Sequence, residues 1–204
     1  MQNKIVLVDY GGVLGIDHII EFEEKLAKIF EISIKELNNR LSEKSILGKA
    51  FREDKITEIE FWQKISNDIT VDRQQAKLFT QMWMDTYCLN DIMMEYLLNL
   101  KKYAKIGVLT NIDIGRSELL LKILNTKEDF DYYFPSYQFK SSKDTNELWQ
   151  KVDALLSKEN KNIEVMYIDD RIEHVLSAKK VGWSSFQFTD FTDFKNKIES
   201  FLEL

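Results

Sequence analysis

Apolar residues are distributed along this 204-residue chain in two rhythms. The first is the short run. Ile5, Val6, Leu7 and Val8 stand together and stop abruptly at Asp9, as a strand buried on both faces of a parallel sheet does. Comparable runs predict strands over 104 to 110, 164 to 169 and 184 to 188, with a strand-like stretch near 132 to 138. The second rhythm is helical. Ile20, Phe22, Leu26, Ile29 and Phe30 recur at helical spacing, as do Phe61, Trp62 and Ile65, and from Asp17 to about Asn90 no convincing strand is found. Ser33 with Glu36, and Thr57 with Glu60, match the capping box, in which side chains satisfy the first free amides of a helix. Beyond that stretch, helices are predicted over 91 to 102, 115 to 125, 145 to 158, 171 to 181 and 191 to 202, alternating with the strands. Such alternation implies βαβ units. The expected class is α/β: a Rossmann-like parallel sheet with helices on both faces, built from residues 1–16 and 91–204, plus a small all-helical domain at 17–90.

The polar residues that end the strands carry the candidate chemistry. Ligands of open α/β sheets bind outside the carboxyl ends of the strands, and Asp9 falls there beside the backbone freedom of Gly11 and Gly12. Its carboxylate can attack an electrophile or hold a cation; the plainer alternative is an aspartate that caps the turn. Strand 104 to 110 ends in Thr110-Asn111 and strand 164 to 169 in Asp169-Asp170, so three strands deliver Asp9, Thr110 and two more carboxylates to one edge. A hydroxyl and an adjacent amide can hold anionic oxygens. Clustered carboxylates repel one another unless a cation lies between them, which favours a hard, oxygen-loving ion such as Mg²⁺. Lys143, ahead of the Asp169 strand, is placed to complete the charge balance on a phosphate or on the nucleophile.

Composition narrows the setting. With 44% hydrophobic and 30% charged residues, the chain can bury one substantial core with a smaller satellite. A net charge of -6, with no Lys/Arg cluster that outweighs its acidic neighbours, argues against a nucleic-acid surface. Cys88 is the only cysteine, which excludes an intrachain disulfide and a Cys-based zinc site; in its Tyr-Cys-Leu run it reads as a small core hydrophobe. No run approaches the ~20 apolar residues of a membrane span. The amino terminus reads as lacking a signal peptide, so the expected location is cytoplasmic.

Taken in order, DYGGVL from Asp9 to Leu14, LTN from Leu109 to Asn111, KDTNELW from Lys143 to Trp149 and IDDRIEHVLSAKKVGW from Ile168 to Trp183 resemble the four motifs of the haloacid dehalogenase (HAD) superfamily. More narrowly, the first motif is similar to that of the branch reading aspartate, any residue, Gly-Gly-Val-Leu, with a helical cap inserted after it. GKAFREDKITEIEFW, residues 48 to 62, is similar to the cap helices of such proteins. The resemblance implies that Asp9 is a nucleophile forming an aspartyl-phosphate that water hydrolyses. It implies that Thr110 and Asn111 hold the phosphoryl oxygens, that Lys143 neutralises phosphate and Asp9, and that Asp169 binds Mg²⁺ with Asp170 as a direct or water-mediated ligand. The expected partner is then a small phosphorylated metabolite. Plainer roles stand beside these: Thr110 ending its strand, Asp170 and Glu173 forming a capping box, Lys143 lying in solvent beside Lys140.

Three departures qualify the resemblance. Phosphatase branches carry a second aspartate, the general acid and base, two positions after the nucleophile; here that position is Gly11, whose carbonyl can still ligate Mg²⁺. Loss of a positioned proton donor lowers the rate on an ordinary ester by ~10²- to 10⁴-fold, so acyl phosphates or sugar 1-phosphates suffer least. Asp17 or His18 could supply the proton instead, the alternative being a helix start with Asp17 as cap. Asp144 follows the lysine where the family has proline, and His174, read as a helix-surface residue, stands where asparagine is common. A Mg²⁺-dependent phosphohydrolase ranks first, with cap aromatics such as Phe51, Phe61, Trp62 and Trp83 closing the site or forming the cap's own core. A catalytically degenerate binding protein ranks second and a dehalogenase third.

Overall fold

The computed structural model describes residues 3–67, 69–124, 129–159 and 162–204, with Asp17 described through its backbone alone. Seven strands are present among them: β1 (Lys4–Val8), β2 (Gly15–Asp17), β3 (Tyr87–Leu89), β4 (Lys105–Thr110), β5 (Tyr132–Pro135), β6 (Glu164–Asp169) and β7 (Ser184–Gln187). Five of them form one sheet in the order β5-β4-β1-β6-β7, every neighbouring pair parallel. The class is the α/β, Rossmann-like arrangement that the alternation predicts. β1 is central because its run is apolar on both faces. Ile5 and Leu7 enter one core cluster and Val6 and Val8 the other, as the two-residue period of a strand requires.

Helices fill both faces. Against Val6 and Val8 lie α6 (Asp91–Leu100), α7 (Ile114–Ile123) and, beyond the short α8 (Ser136–Phe139) and α9 (Asn146–Glu159) and α10 (Ile172–Lys180), the last helix α11 (Phe191–Leu202). Against Ile5 and Leu7 lie Leu148, Trp149 and Val152 of α9 and Ala178 of α10. Residues 132 to 138 are strand for only four residues, because Pro135 cannot donate to the ladder and the chain turns into α8.

Between β2 and β3 run α1 (Ile20–Ile29), α2 (Ile34–Leu41), α3 (Ile46–Arg52), α4 (Glu58–Ile65) and α5 (Arg73–Met84), and they share a separate aromatic cluster. Phe61 stacks on Phe51 with ring centroids 4.0 Å apart, Trp62 donates its indole N–H to Thr80 from 3.0 Å, and both side chains are fully buried. Phe51, Phe61, Trp62 and Trp83 are therefore the interior of this helical layer. Thr57 and Glu60 form the complete capping box at α4, whereas Ser33 caps α2 while Glu36 turns to Arg40.

Several local expectations are overturned. Residues 17 to 90 do contain strand: β2 and β3 pair antiparallel, with Ile16 opposite Cys88. Cys88 is consequently exposed, since that ribbon covers one face only. Asp17 belongs to β2 and does not cap α1, whose N-cap is Ile19 without a side-chain bond. Ile20 and Ile29 point to solvent. No helix among the described residues is long and apolar enough to cross a membrane.

Candidate active site

The strand order places β4 and β6 on either side of β1: after β1 the sheet is extended by β4 and β5 on one side, and the chain then crosses over to add β6 and β7 on the other. That reversal opens a crevice at the switch point. Asp9 follows β1, Thr110 ends β4 and Asp169 ends β6, all three buried. A cavity of about 300 Å³ opens there, walled by Asp9, Gly11, Thr110, Asn111, Lys143 and Asp170 on the sheet side.

Lys143 is at the centre of the charge network and is 1% exposed, while Lys140 faces solvent. Its ammonium lies 2.9 Å from Asp9 Oδ2 and 2.7 Å from Asp169 Oδ2, and donates to the Tyr167 hydroxyl at 3.2 Å. Burial works against its charge, but the two carboxylates outweigh it and hold the lysine above its ordinary range. Asp169 is saturated with donors: Lys143, the Tyr167 hydroxyl, the Arg171 amide at 2.9 Å and His174 Nδ1 at 3.1 Å. Against the penalty of burial, Lys143 and His174 keep it well below the usual carboxylate range. Asp9 is pushed upward, first by burial, with Lys143 pulling the other way.

Asp170 points into the cavity. Burial, then Asp9 and Asp169, push it up to about 6. Gly12 makes room for it: with φ at +73°, a Cβ there would fall 2.7 Å from Asp170 Oδ2. Ligand oxygens of Asp9, Asp169 and Asp170 all lie within 4.8 Å of one another. Three carboxylates thus share one ammonium, a surplus of negative charge that a divalent, oxygen-seeking cation fits.

His174 is a correction. It is 1% exposed, not on the helix surface, because the first turn of α10 folds back against the end of β6. Nδ1 donates to Asp169, and Nε2 lies 3.4 Å from Asp144 Oδ1, an ion-pair separation without a formed hydrogen bond. Asp144, held low chiefly by His174, thus belongs to the site's outer support. Asp170 and Glu173 form no capping box, since α10 has Arg171 as N-cap with no side-chain bond. Asn111 is engaged at both ends of its amide: Oδ1 accepts from the Lys143 amide at 2.9 Å, and Nδ2 donates to Glu43 at 3.0 Å. His18 is exposed and lines a different depression with Lys25 and Asp85; the side chain of Asp17 lies outside the described residues.

Sequence reasoning passed over Tyr167, Glu43, Arg52 and Arg116. Tyr167 carried a usable signal, standing two residues before Asp169 on one strand face. The others come from the helical layer or from α7, and nothing local marks them.

No family model and no curated protein matches the sequence. Solved structures do. A HAD family enzyme from Bacteroides thetaiotaomicron, determined with magnesium and inorganic phosphate, aligns with a TM-score of 0.74 at 20% identity over 94% of this chain and 98% of its own. A predicted HAD-like family hydrolase from Porphyromonas gingivalis reaches 0.77 at 16% identity over 100% of both chains. A 2-haloacid dehalogenase from Pseudomonas syringae gives 0.64 at 14% identity over 91% of this chain and 86% of its own. The chain has the fold of the HAD-family hydrolases.

Proposed function

We propose that the protein is a Mg²⁺-dependent phosphohydrolase of a small phosphorylated metabolite, acting through an aspartyl-phosphate on Asp9. One observation carries the reading: a fully buried lysine bridges Asp9 and Asp169 beside a third carboxylate, at the carboxyl edge of adjacent parallel strands. The magnesium and phosphate bound by the Bacteroides thetaiotaomicron enzyme of the same fold support it. Asp9, Asp169 and Asp170, with the Gly11 carbonyl, would hold the ion, which when bound supplies charge neutralisation at the phosphoryl oxygens.

The protein's own groups do the rest. Lys143 aims Asp9 and favours its ionised form against the pull of burial, while Tyr167 and His174 fix Asp169 so that Lys143 stays in place. Thr110, with Asn111, holds the phosphoryl oxygens. An Asp9 oxygen bonds to phosphorus as the ester P–O bond breaks and its electron pair leaves with the alcohol oxygen. Water then attacks phosphorus, and the Asp9–phosphorus bond breaks to release phosphate and restore the carboxylate. Gly11 offers the leaving oxygen no proton, so activated phosphates are the preferred substrates. Residues 17–90 act as the helical cap over a core of 1–16 and 91–204, in the branch with Asp, any residue, Gly-Gly-Val-Leu, and we place the protein in the cytoplasm.

The same Gly11 favours the second reading, a binding protein that keeps the fold and cation but turns over little. Phosphate release from acetyl phosphate, a sugar 1-phosphate and a sugar 6-phosphate, with Mg²⁺ or chelator, separates the two. Metal-dependent turnover abolished by Asp9→Asn is expected. No turnover, with Mg²⁺ still raising the melting temperature, would overturn hydrolysis in favour of binding.

A further inference from the structure

The same cavity is also lined by a pair of buried arginines, and the chemistry above makes no use of them. Arg52, the last residue of α3, and Arg116, in the first turn of α7, both line the cavity and are 7% and 4% exposed. They share the Trp83 indole, with guanidinium carbons 5.3 and 3.6 Å from its centroid. Among the described residues one carboxylate, Asp113, forms an ion pair with either of them, while Asp144 acts on Arg52 only at longer range. Asp113 accepts from Arg116 Nε at 2.5 Å, while Arg116 Nη2 has no hydrogen-bond partner among the described residues. Arg52 donates to the carbonyls of Gly48 and Leu41, and no described carboxylate forms an ion pair with it. Burial, followed by Arg116, brings Arg52 down to about 9. A buried cation without its counter-charge is unfavourable. Two together, one with an unused N–H group, leave the pair with a positive surplus that an anionic ligand would neutralise.

We propose that Arg52 and Arg116 seat a second anionic group of the substrate, so that this site takes short phosphate esters carrying a carboxylate or a further phosphate. The cavity then has complementary ends, with the phosphoryl group at Asp9 and Lys143 and the second anion at the arginine pair, where planar forks suit either oxyanion. The volume of about 300 Å³ limits the connecting chain to a few atoms. The proposal rests on the phosphohydrolase reading in placing the phosphoryl end at Asp9.

Three probes with one three-carbon skeleton test it: glycerol 3-phosphate, 3-phosphoglycerate and propane-1,3-diol bisphosphate. With the full chain and Mg²⁺, kcat/KM is measured for each, and binding to the Asp9→Asn variant is followed by calorimetry. A preference of about tenfold or more for a doubly anionic probe is expected, and the better of the two identifies the second group. Arg52 also holds the turn of α3, so Arg116→Gln is the informative variant; it should lower kcat/KM on the doubly anionic probes at least about tenfold more than on glycerol 3-phosphate and so erase the preference. Equal handling of all three probes by the wild type overturns the proposal without any variant. An equal loss on all three in Arg116→Gln also overturns it, because the arginine would then serve the reacting phosphoryl group. Selective binding without turnover keeps the anion seat and removes the hydrolase reading; turnover without selectivity does the reverse.

Discussion

At position 11 the backbone does not need glycine. Its φ is not positive, and a Cβ built there meets no atom within 4 Å, whereas Gly12 next to it is confined by a φ of +73° and by Asp170. An aspartate therefore fits at position 11, and Gly11→Asp should raise kcat/KM on a sugar 6-phosphate by ~10²- to 10⁴-fold while changing acetyl phosphate far less. A pH-rate comparison of the two substrates checks it. Asp170 gives a second test, in stability. An ordinary aspartate titrates near ~3.9, but in the fold this one is pushed up to about 6, so the folded state favours its neutral form. Ionisation works against folding, and stability falls as pH rises from about 4 through about 6. Asp170→Asn should flatten that fall. Thermal unfolding in chelator between pH 4 and 8 is the measurement, and added Mg²⁺ should restore the wild type at the upper end.

At the scale of elements, caps and periods were legible where the side chains involved are local. The Thr57 box lies within four residues, so pattern and structure coincide there. Thr57→Ala should lower stability by ~1 kcal/mol, read from the urea midpoint, with acetyl phosphate turnover unchanged. β1, β4 and β6 were visible for a similar reason: strands buried on both faces need no alternation, only an apolar run with a polar end. The β2–β3 ribbon was not visible. Three residues are too few for a period, and each strand exists only because its partner returns about seventy residues later. Cys88 was misplaced as a consequence, since its burial depended on a strand that nothing local announces.

At the scale of the molecule, polar contacts bind the helical layer to the sheet's edge. Glu43 accepts from Asn111 and pairs with Arg171, Lys44 meets Glu173 at 2.9 Å, and Ser136 Oγ donates to the Arg52 carbonyl at 2.7 Å. Glu43 is the hub, so Glu43→Ala should raise KM for acetyl phosphate by about three- to tenfold through looser closure. Global stability should move little, while hydrogen exchange over α3 quickens. The sequence by itself determined the α/β class, the central strand and the arrival of Asp9, Thr110 and the Asp169-Asp170 pair at one edge. Each of those follows from a run of a few residues and from the rule that parallel strands end together. Tertiary structure alone decided that Lys143 is buried between Asp9 and Asp169, that His174 turns inward, and that Arg52 and Arg116 meet across Trp83. Those contacts join residues up to 134 positions apart, and which side chains meet over such distances is set by how whole layers pack.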